Sequence, residues 1–436
     1  MIESLPRPLR RAVSPYTGIV RSLEECLHFP CEPPLFRFAC EVGRGDSVLG
    51  GQLDHLSGIG GAGLTRTDAA SAAIGEALER YSGTFVPRGQ LVVASARELG
   101  DEAVDPARFA LFADDQYATP GFPFARFTAE TRVPWIRAVA VASGRPAWLP
   151  AELVFLGDPV SEGAARIGYA TSSGMACGET TERALLGGLC ELLERDAFMI
   201  TWANSLSLPL LDWRDHPELL DLERRFFAPS GLAYAAVDLS AFHRLPSVLG
   251  VVRAPDGYPG ALGVGAGTAP TVARAVWKAL SEAFASRSAG AKLALLESAG
   301  GYGSAGSGVV SFEDHIAYYS DATRATAAAF LDASRERTLA IEVPSLPGET
   351  PAEHVVALCE RIDAAGSGAY AVDVTAPDVR ELGLTVMKVV APELCSLDVP
   401  HEARFLGGHR LYDVAAELGL RTGRLSEPNA EPHPFP

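Results

Sequence analysis

GLTRTDAASAAIGEALERYSG at residues 63–83 and GETTERALLGGLCELLERDAF at 178–198 run in one register. Gly63, Thr65, Glu76, Glu79 and Arg80 of the first match Gly178, Thr180, Glu191, Glu194 and Arg195 of the second, with thirteen residues from glycine to first glutamate in both. The agreement reads as an internal duplication. Good helix formers, with apolar residues at helical spacing, predict a helix in each stretch, the first closed at Gly83. Positions three apart share a helix face, so Glu76 with Glu79, and Glu191 with Glu194, each direct two carboxylates to one point. Arg80 and Arg195 follow at once. The neighbours Ala73, Ile74, Ala77 and Leu78, and Leu189, Leu192 and Leu193, make these faces look buried, where paired carboxylates need counter-ions. A single such pair is an ordinary solvated face with surface ion pairs. Two in matched register favour a site for magnesium, which takes carboxylates together with nucleotide phosphates. Gly-rich stretches ahead of both helices leave backbone N–H groups free near the helix N-termini, a geometry that holds phosphate.

Outward from these helices the chain alternates between short β-like runs and turns. LFRFACEV, QLVVAS, IRAVAVAS, AELVFLG, LAYAAVDL, PSVLGVVRA, ALGVGAGTA, AYAVDVT and TVMKVVAP read as strands, and helices are expected near 270–290 and 352–364. Gly50 to Gly63 is too Gly-dense for a helix. GGYGSAGSG at 300–308 reads as a flexible loop. The tail LSEPNAEPHPFP is extended, because Pro432, Pro434 and Pro436 fix φ and stiffen the last residues into a rod. There is no GxxxxGK[ST] loop, and GVGAG at 263–267 lacks the spacing of a dinucleotide fingerprint.

The 436 residues are 47% hydrophobic and 21% charged, which excludes a disordered chain and allows a large core. With 54 acidic against 37 basic side chains the net charge is −17, so nucleic-acid or membrane-surface binding is not expected. A small anion held by a local metal site remains compatible with it. No secretory signal and no spanning segment is readable. The seven cysteines are odd in number, without a CxxC pair, and Cys26, Cys31 and Cys40 with His28 lack zinc spacing. These features predict a cytoplasmic protein. His243, His315, His354, His401 and His409 read as surface or core residues, His433 lies within the terminal rod, and Cys177 reads as a buried small residue.

SGIGGAGLTRTDAASAAIGEALERYSG, ATSSGMACGETTERALLGGLCELLERDAF and ALSEAFASR together resemble the three nucleotide motifs of the YcaO family of ATP-dependent enzymes that modify peptide backbones. VSPYTGIV, DVTAPDVRELGLTVMKVVAP, RFLGGHRLY and the final PHPFP are similar to its streptolysin-type D-protein branch, the azoline-forming cyclodehydratases. The resemblance runs from about residue 12 to the last residue. It implies an α+β fold with mixed sheets and paired Glu-bearing helices framing an ATP site. Residues 1–48 would lead into a catalytic domain at 49–425, and 426–436 would form a tail entering the active site. It implies that Glu76, Glu79, Glu191 and Glu194 ligate Mg2+, that Ser173, Arg80, Arg195 and Arg287 contact ATP, and that the Pro436 carboxylate acts as a base. A Cys, Ser or Thr side chain of a ribosomally made precursor peptide would attack the preceding carbonyl, and ATP would phosphorylate the amide oxygen, leaving thiazoline or oxazoline. The implied partners are that peptide, a leader-binding protein related to ubiquitin-activating enzymes, a flavin-dependent azoline dehydrogenase and a second copy in a homodimer.

Three positions depart from the family pattern. Ala62 stands where a lysine is common, Ala285 where a glutamine is common, and Arg183 where an acidic residue is common. Two alternatives stay open: a thioamide- or amidine-forming relative, which keeps the ATP site and changes the nucleophile, and a non-catalytic scaffold within a modifying complex, to which Ala62 and Ala285 point.

Overall fold

Two glycine-rich segments explain how the fold brings helices onto strands. In the computed structural model, which describes residues 2–27, 32–43, 59–160, 162–295, 302 and 306–436, GGAG at Gly60–Gly63 and LGVGAGT at Leu262–Thr268 are both strands. A Cβ on Gly61 or Gly63 would lie 2.3 Å from a backbone nitrogen of the following helix, and one on Gly267 would lie 2.2 Å from its third helix's backbone. The missing side chains let helices rest directly on strand backbones. Most of the Gly-dense 50–63 segment, most of the 300–308 loop, His28 and Cys31 lie outside the described residues.

The strands are β1 (Val20–Glu25), β2 (Phe36–Val42), β3 (Gly60–Gly63), β4 (Val92–Ala94), β5 (Val133–Ala140), β6 (Pro146–Pro150), β7 (Met175–Gly178), β8 (Leu210–Asp212), β9 (Ala233–Asp238), β10 (Ser247–Arg253), β11 (Leu262–Thr268), β12 (Arg337–Leu339), β13 (Tyr370–Asp373) and β14 (Thr385–Val390). Among the described residues they form three sheets, ordered β1-β2-β3, β4-β5-β13-β14-β7 with β6 beside β5, and β11-β10-β9-β8-β12. Pairing is antiparallel apart from β8 with β12, so the third sheet is mixed. The α-helices of seven or more residues are α1 (Arg66–Thr84), α2 (Thr181–Ala203), α3 (Val272–Leu295), α4 (Phe312–Tyr318), α5 (Pro351–Ala364) and α6 (Arg410–Glu417). None is long and apolar enough to cross a membrane.

Both expected Glu helices form, each opened by a threonine. Thr65 accepts from the Asp68 N–H and Thr180 from the Arg183 N–H. Their own caps thus answer the helix N-termini. Glu76 lies eleven residues past its cap, roughly 16 Å along the axis at 1.5 Å per residue, so the carboxylates project from mid-helix. The carboxylates therefore stand away from the helix N-termini, where the phosphate cradle is expected.

The duplication extends to a third copy. Glu282 stands eleven residues after Thr271, as Glu76 and Glu191 stand after Thr65 and Thr180. Three strand–helix units result, β3–α1, β7–α2 and β11–α3, one on each sheet. Every helix also touches the next unit's strand, α1 against β7, α2 against β11 and α3 against β3, so the units close into a ring. The second half of α2 is buried on all sides from Leu192 to Ala203, the mark of a central core helix.

AELVFLG is not a strand. After Pro150 the chain turns through Ala151–Leu153 because the buried Glu152 carboxylate faces inward, accepting the Ile167 N–H at 2.7 Å. The segment before residue 49 supplies β1 and β2, and β2 pairs with β3, so it shares the sheet that carries α1.

Candidate active site

Each unit of the ring grips its glutamate in the same manner. Glu76 Oε2 accepts from the Gly60 N–H at 3.2 Å, Glu191 Oε2 from Gly174 at 3.1 Å, and Glu282 Oε2 from Ala266 at 2.8 Å. In the first two, the other carboxylate oxygen accepts from the arginine four residues on: Arg80 Nη2 at 3.1 Å and Arg195 Nη2 at 3.0 Å. One oxygen on a backbone amide, of β3 for Glu76 and of the turn before β7 for Glu191, and one on a guanidinium leave each carboxylate little freedom.

The second glutamates fill the space between units. Glu194, fully buried, accepts from the Thr268 N–H of β11 at 2.6 Å, from Lys278 Nζ of α3 at 3.0 Å, and lies 3.3 Å from Arg195 Nη1. Burial, then the charge of Glu191, pushes the Glu79 carboxyl well above its ordinary range against the opposing Arg80. Glu76 is raised by burial against Arg80, and Glu282 is pushed up to about 7 by burial with Glu194, opposed by Arg195 and Lys278. Glu191 is the link: its charge is felt by Glu76 and Glu79 on α1 and by Arg195 and Lys278 on the other side. The ring thus gathers Glu76, Glu79, Glu191, Glu194, Arg80 and Arg195 from the expected set.

Other expected residues sit around this centre. Ser173 is buried beside Gly174, and its carbonyl accepts from Lys388 Nζ at 2.6 Å. It lines a small cleft with Leu111, Tyr169, Leu192, Lys388 and Phe405. Arg287 donates to the carbonyls of Pro259 and Gly260 and stands 3.6 Å from Glu32. The tail runs into the protein: Pro432 to Phe435 are buried and Pro436 half-buried. Since proline has no N–H, side chains secure this rod through its carbonyls, Tyr319 Oη to Pro432 at 2.6 Å and Trp202 Nε1 to Glu431 at 3.1 Å. His315 lies between the carbonyls of His433 and Val399. Phe435 packs on Phe198, and the Arg195 guanidinium lies 4.0 Å over its ring. Burial pushes the thiols of Cys40, Cys177 and Cys190 up to about 12, so none is a ready nucleophile at neutral pH.

Reading along the sequence missed Glu282, Lys278 and Lys388. Glu282 had a signal, its spacing from Thr271. Lys278 follows from it, one helical turn earlier on α3. Lys388 had none.

Buried donors test whether a metal nucleotide fits. Arg80 Nε and Arg195 Nε belong to the guanidiniums that hold Glu76 and Glu191. Both are buried and, like Arg361 Nε and Arg421 Nε elsewhere, have no hydrogen-bond partner among the described residues. The two beside the glutamates are therefore free to meet an anion. Among the described residues, no three acidic, His or Cys side chains enclose a metal ion by themselves. Magnesium binds through one or two carboxylates, with phosphate oxygens and water completing its shell. The donor set therefore suits a magnesium-bound nucleotide.

Carboxylates and guanidiniums thus meet where the three strand–helix units come together. The family model for the YcaO cyclodehydratases, described as ATP- and Mg2+-binding, matches residues 60–395, and the chain belongs to that family. It is 30% identical over 232 residues to an uncharacterised protein of Methanothermobacter thermautotrophicus, covering 52% of this chain and 56% of that one. Its structure is similar to a heterocyclase in complex with substrate and cofactor, at TM-score 0.80 and 25% identity over 99% of this chain and 57% of that one. It is also similar to the heterocyclase TruD, at TM-score 0.66 and 27% identity over 84% and 50%. The chain thus spans about half the length of these relatives.

Proposed function

We propose that the chain is an ATP-dependent cyclodehydratase that converts Cys, Ser or Thr of a ribosomally made precursor peptide into thiazoline or oxazoline. The supporting observation is the ring of three glutamates held by backbone amides, with Arg195 resting on the buried tail. In this reading Glu76 and Glu79 hold one magnesium face, Glu191 and Glu194 the other, and Glu282 completes the wall. Arg80 and Arg195 turn their free N–H groups to phosphate, Ser173 borders the nucleotide, and Arg287 reaches it by giving up the Pro259 and Gly260 carbonyls. Bound MgATP supplies a phosphoryl group that turns the amide oxygen into a leaving group, so the peptide loses the elements of water while ATP becomes ADP and phosphate. The Pro436 carboxylate is the proposed base. A leader-binding protein related to ubiquitin-activating enzymes would deliver the peptide, a flavin-dependent dehydrogenase would act on the azoline, and the working unit would be a homodimer in the cytoplasm.

Intact-mass analysis of a Cys-containing peptide incubated with this chain, the leader-binding partner and MgATP tests the reading. Loss of one water mass per ring, dependent on ATP, is expected. A gain matching oxygen-to-sulfur exchange would assign a thioamide-forming enzyme, and no MgATP binding at all would assign a scaffold.

The tail gives a second test. The ring under Arg195 is in place before any nucleotide binds, so Phe435→Ala should act indirectly, loosening Arg195 and weakening MgATP binding severalfold. Deleting Pro432–Pro436 should add a loss of turnover on the order of a hundredfold, comparable to removing one preorganised group from an active site. Calorimetry with Phe435→Ala separates the two effects, and an unchanged Kd would refute the role given to the ring.

A further inference from the structure

Lys388 stands mid-strand in TVMKVV, an otherwise apolar run of β14. It is 3% exposed, and lysine is almost never so buried without partners. Its Nζ donates to the Thr171 carbonyl at 2.7 Å and the Ser173 carbonyl at 2.6 Å. Those carbonyls belong to the turn that ends in Gly174, at φ 79°. Gly174 gives its N–H to Glu191 and accepts the Val389 N–H at 2.7 Å. A Cβ at this position would lie 2.4 Å from the Val389 carbonyl oxygen, so the turn is tied to β14 by its backbone and by the lysine one residue earlier. Two carbonyl oxygens converging on one point repel each other unless a cation with several donors sits between them. The same charge acts on Glu79 of α1 and Glu191 of α2.

We infer that Lys388 is a positioning residue of the metal–nucleotide site: it fixes the Thr171–Gly174 turn so that the Gly174 amide holds Glu191 in line. The inference rests on the metal–nucleotide reading above and adds a residue outside the paired motifs. It acts through Glu191, so its effect falls on the magnesium dependence of nucleotide binding.

The test is calorimetric titration of the full chain with a non-hydrolysable ATP analogue at increasing Mg2+, accompanied by thermal melts. Lys388→Met should raise the Mg2+ concentration for half-maximal binding tenfold or more while the melt stays cooperative. Lys388→Arg keeps the charge but not the convergent donors, and should shift it threefold or more. A Lys388→Met midpoint within twofold of wild type, even with a lower melting temperature, assigns a merely structural role and overturns the inference. Should Lys388→Met not fold, an unchanged midpoint in Lys388→Arg overturns it equally. A wild-type chain that binds no nucleotide overturns this inference together with the reading beneath it.

Discussion

Replacing Glu76 and Glu191 together by alanine should cut ATP-dependent peptide modification by about a thousandfold or more and leave the protein folded. Removing one preorganised charge-stabilising group from an active site costs on the order of a hundredfold to a thousandfold, and this variant removes a carboxylate from each of two units. Glu191 also links the two halves of the cluster, so Glu79 and Glu194 would no longer act on one ligand. Stability should behave differently. Burial already holds the Glu76 carboxyl above its ordinary range, which means that its charge is unfavourable where it sits. Its removal relieves that cost, but the double variant leaves Arg80 and the buried Arg195 without their carboxylates, so its melting temperature should fall modestly while the transition stays cooperative. Full turnover by this variant, measured as water loss from the peptide, would remove the metal assignment; a collapsed melting curve would show that the pair is structural.

Asp196→Ala should have the opposite profile, a large loss of stability. Asp196 follows Arg195 on α2 and is fully buried. It accepts from the Cys395 N–H at 2.8 Å and from Arg410 Nε and Nη2 at 3.0 and 2.6 Å, with His243 Nε2 3.0 Å away. Burial opposes its charge, but Arg410 and His243 outweigh it and hold the carboxyl well below its ordinary range. Alanine would strand the Arg410 guanidinium, itself 5% exposed, without its counter-charge. Breaking a buried pair from one side costs about 3–5 kcal/mol. Replacing both members by apolar residues of similar volume, Asp196→Leu with Arg410→Met, should recover most of that loss. Urea unfolding of the three proteins decides: a change under about 1 kcal/mol for Asp196→Ala would show that the network carries no net stability.

Local patterns made the paired helices legible. Helical period, capping threonines and the ExxER spacing all lie within twenty residues, and α1 and α2 form where that pattern ends. The third unit is concealed because the residues that would repeat the second glutamate and the arginine are Ala285 and Ser286, leaving only the interval from Thr271 to Glu282. Its glycines looked like an imperfect nucleotide fingerprint. Gly263, Gly265 and Gly267 instead lie where α3 presses on β11, with a Cβ 2.2–2.5 Å from its atoms. The convergence of the carboxylates from different helices follows from packing between units, which no single segment encodes. Lys388 was out of reach for the same reason: its partners at Thr171 and Ser173 are more than two hundred residues away. AELVFLG failed as a strand because one buried carboxylate, Glu152, outweighs the apolar pattern around it.

The ring of three units also has a kinetic consequence. Its amide-to-carboxylate contacts are local, but the cross-contacts join segments near residues 76, 191 and 282, and closing such long loops is entropically costly. Contacts of this kind slow folding and are made late. On the proposed reading, a chain with only one or two units docked would lack the shared centre that holds the metal nucleotide. Competence to consume ATP would then appear only with the final docking step, and partly folded chains would not waste it.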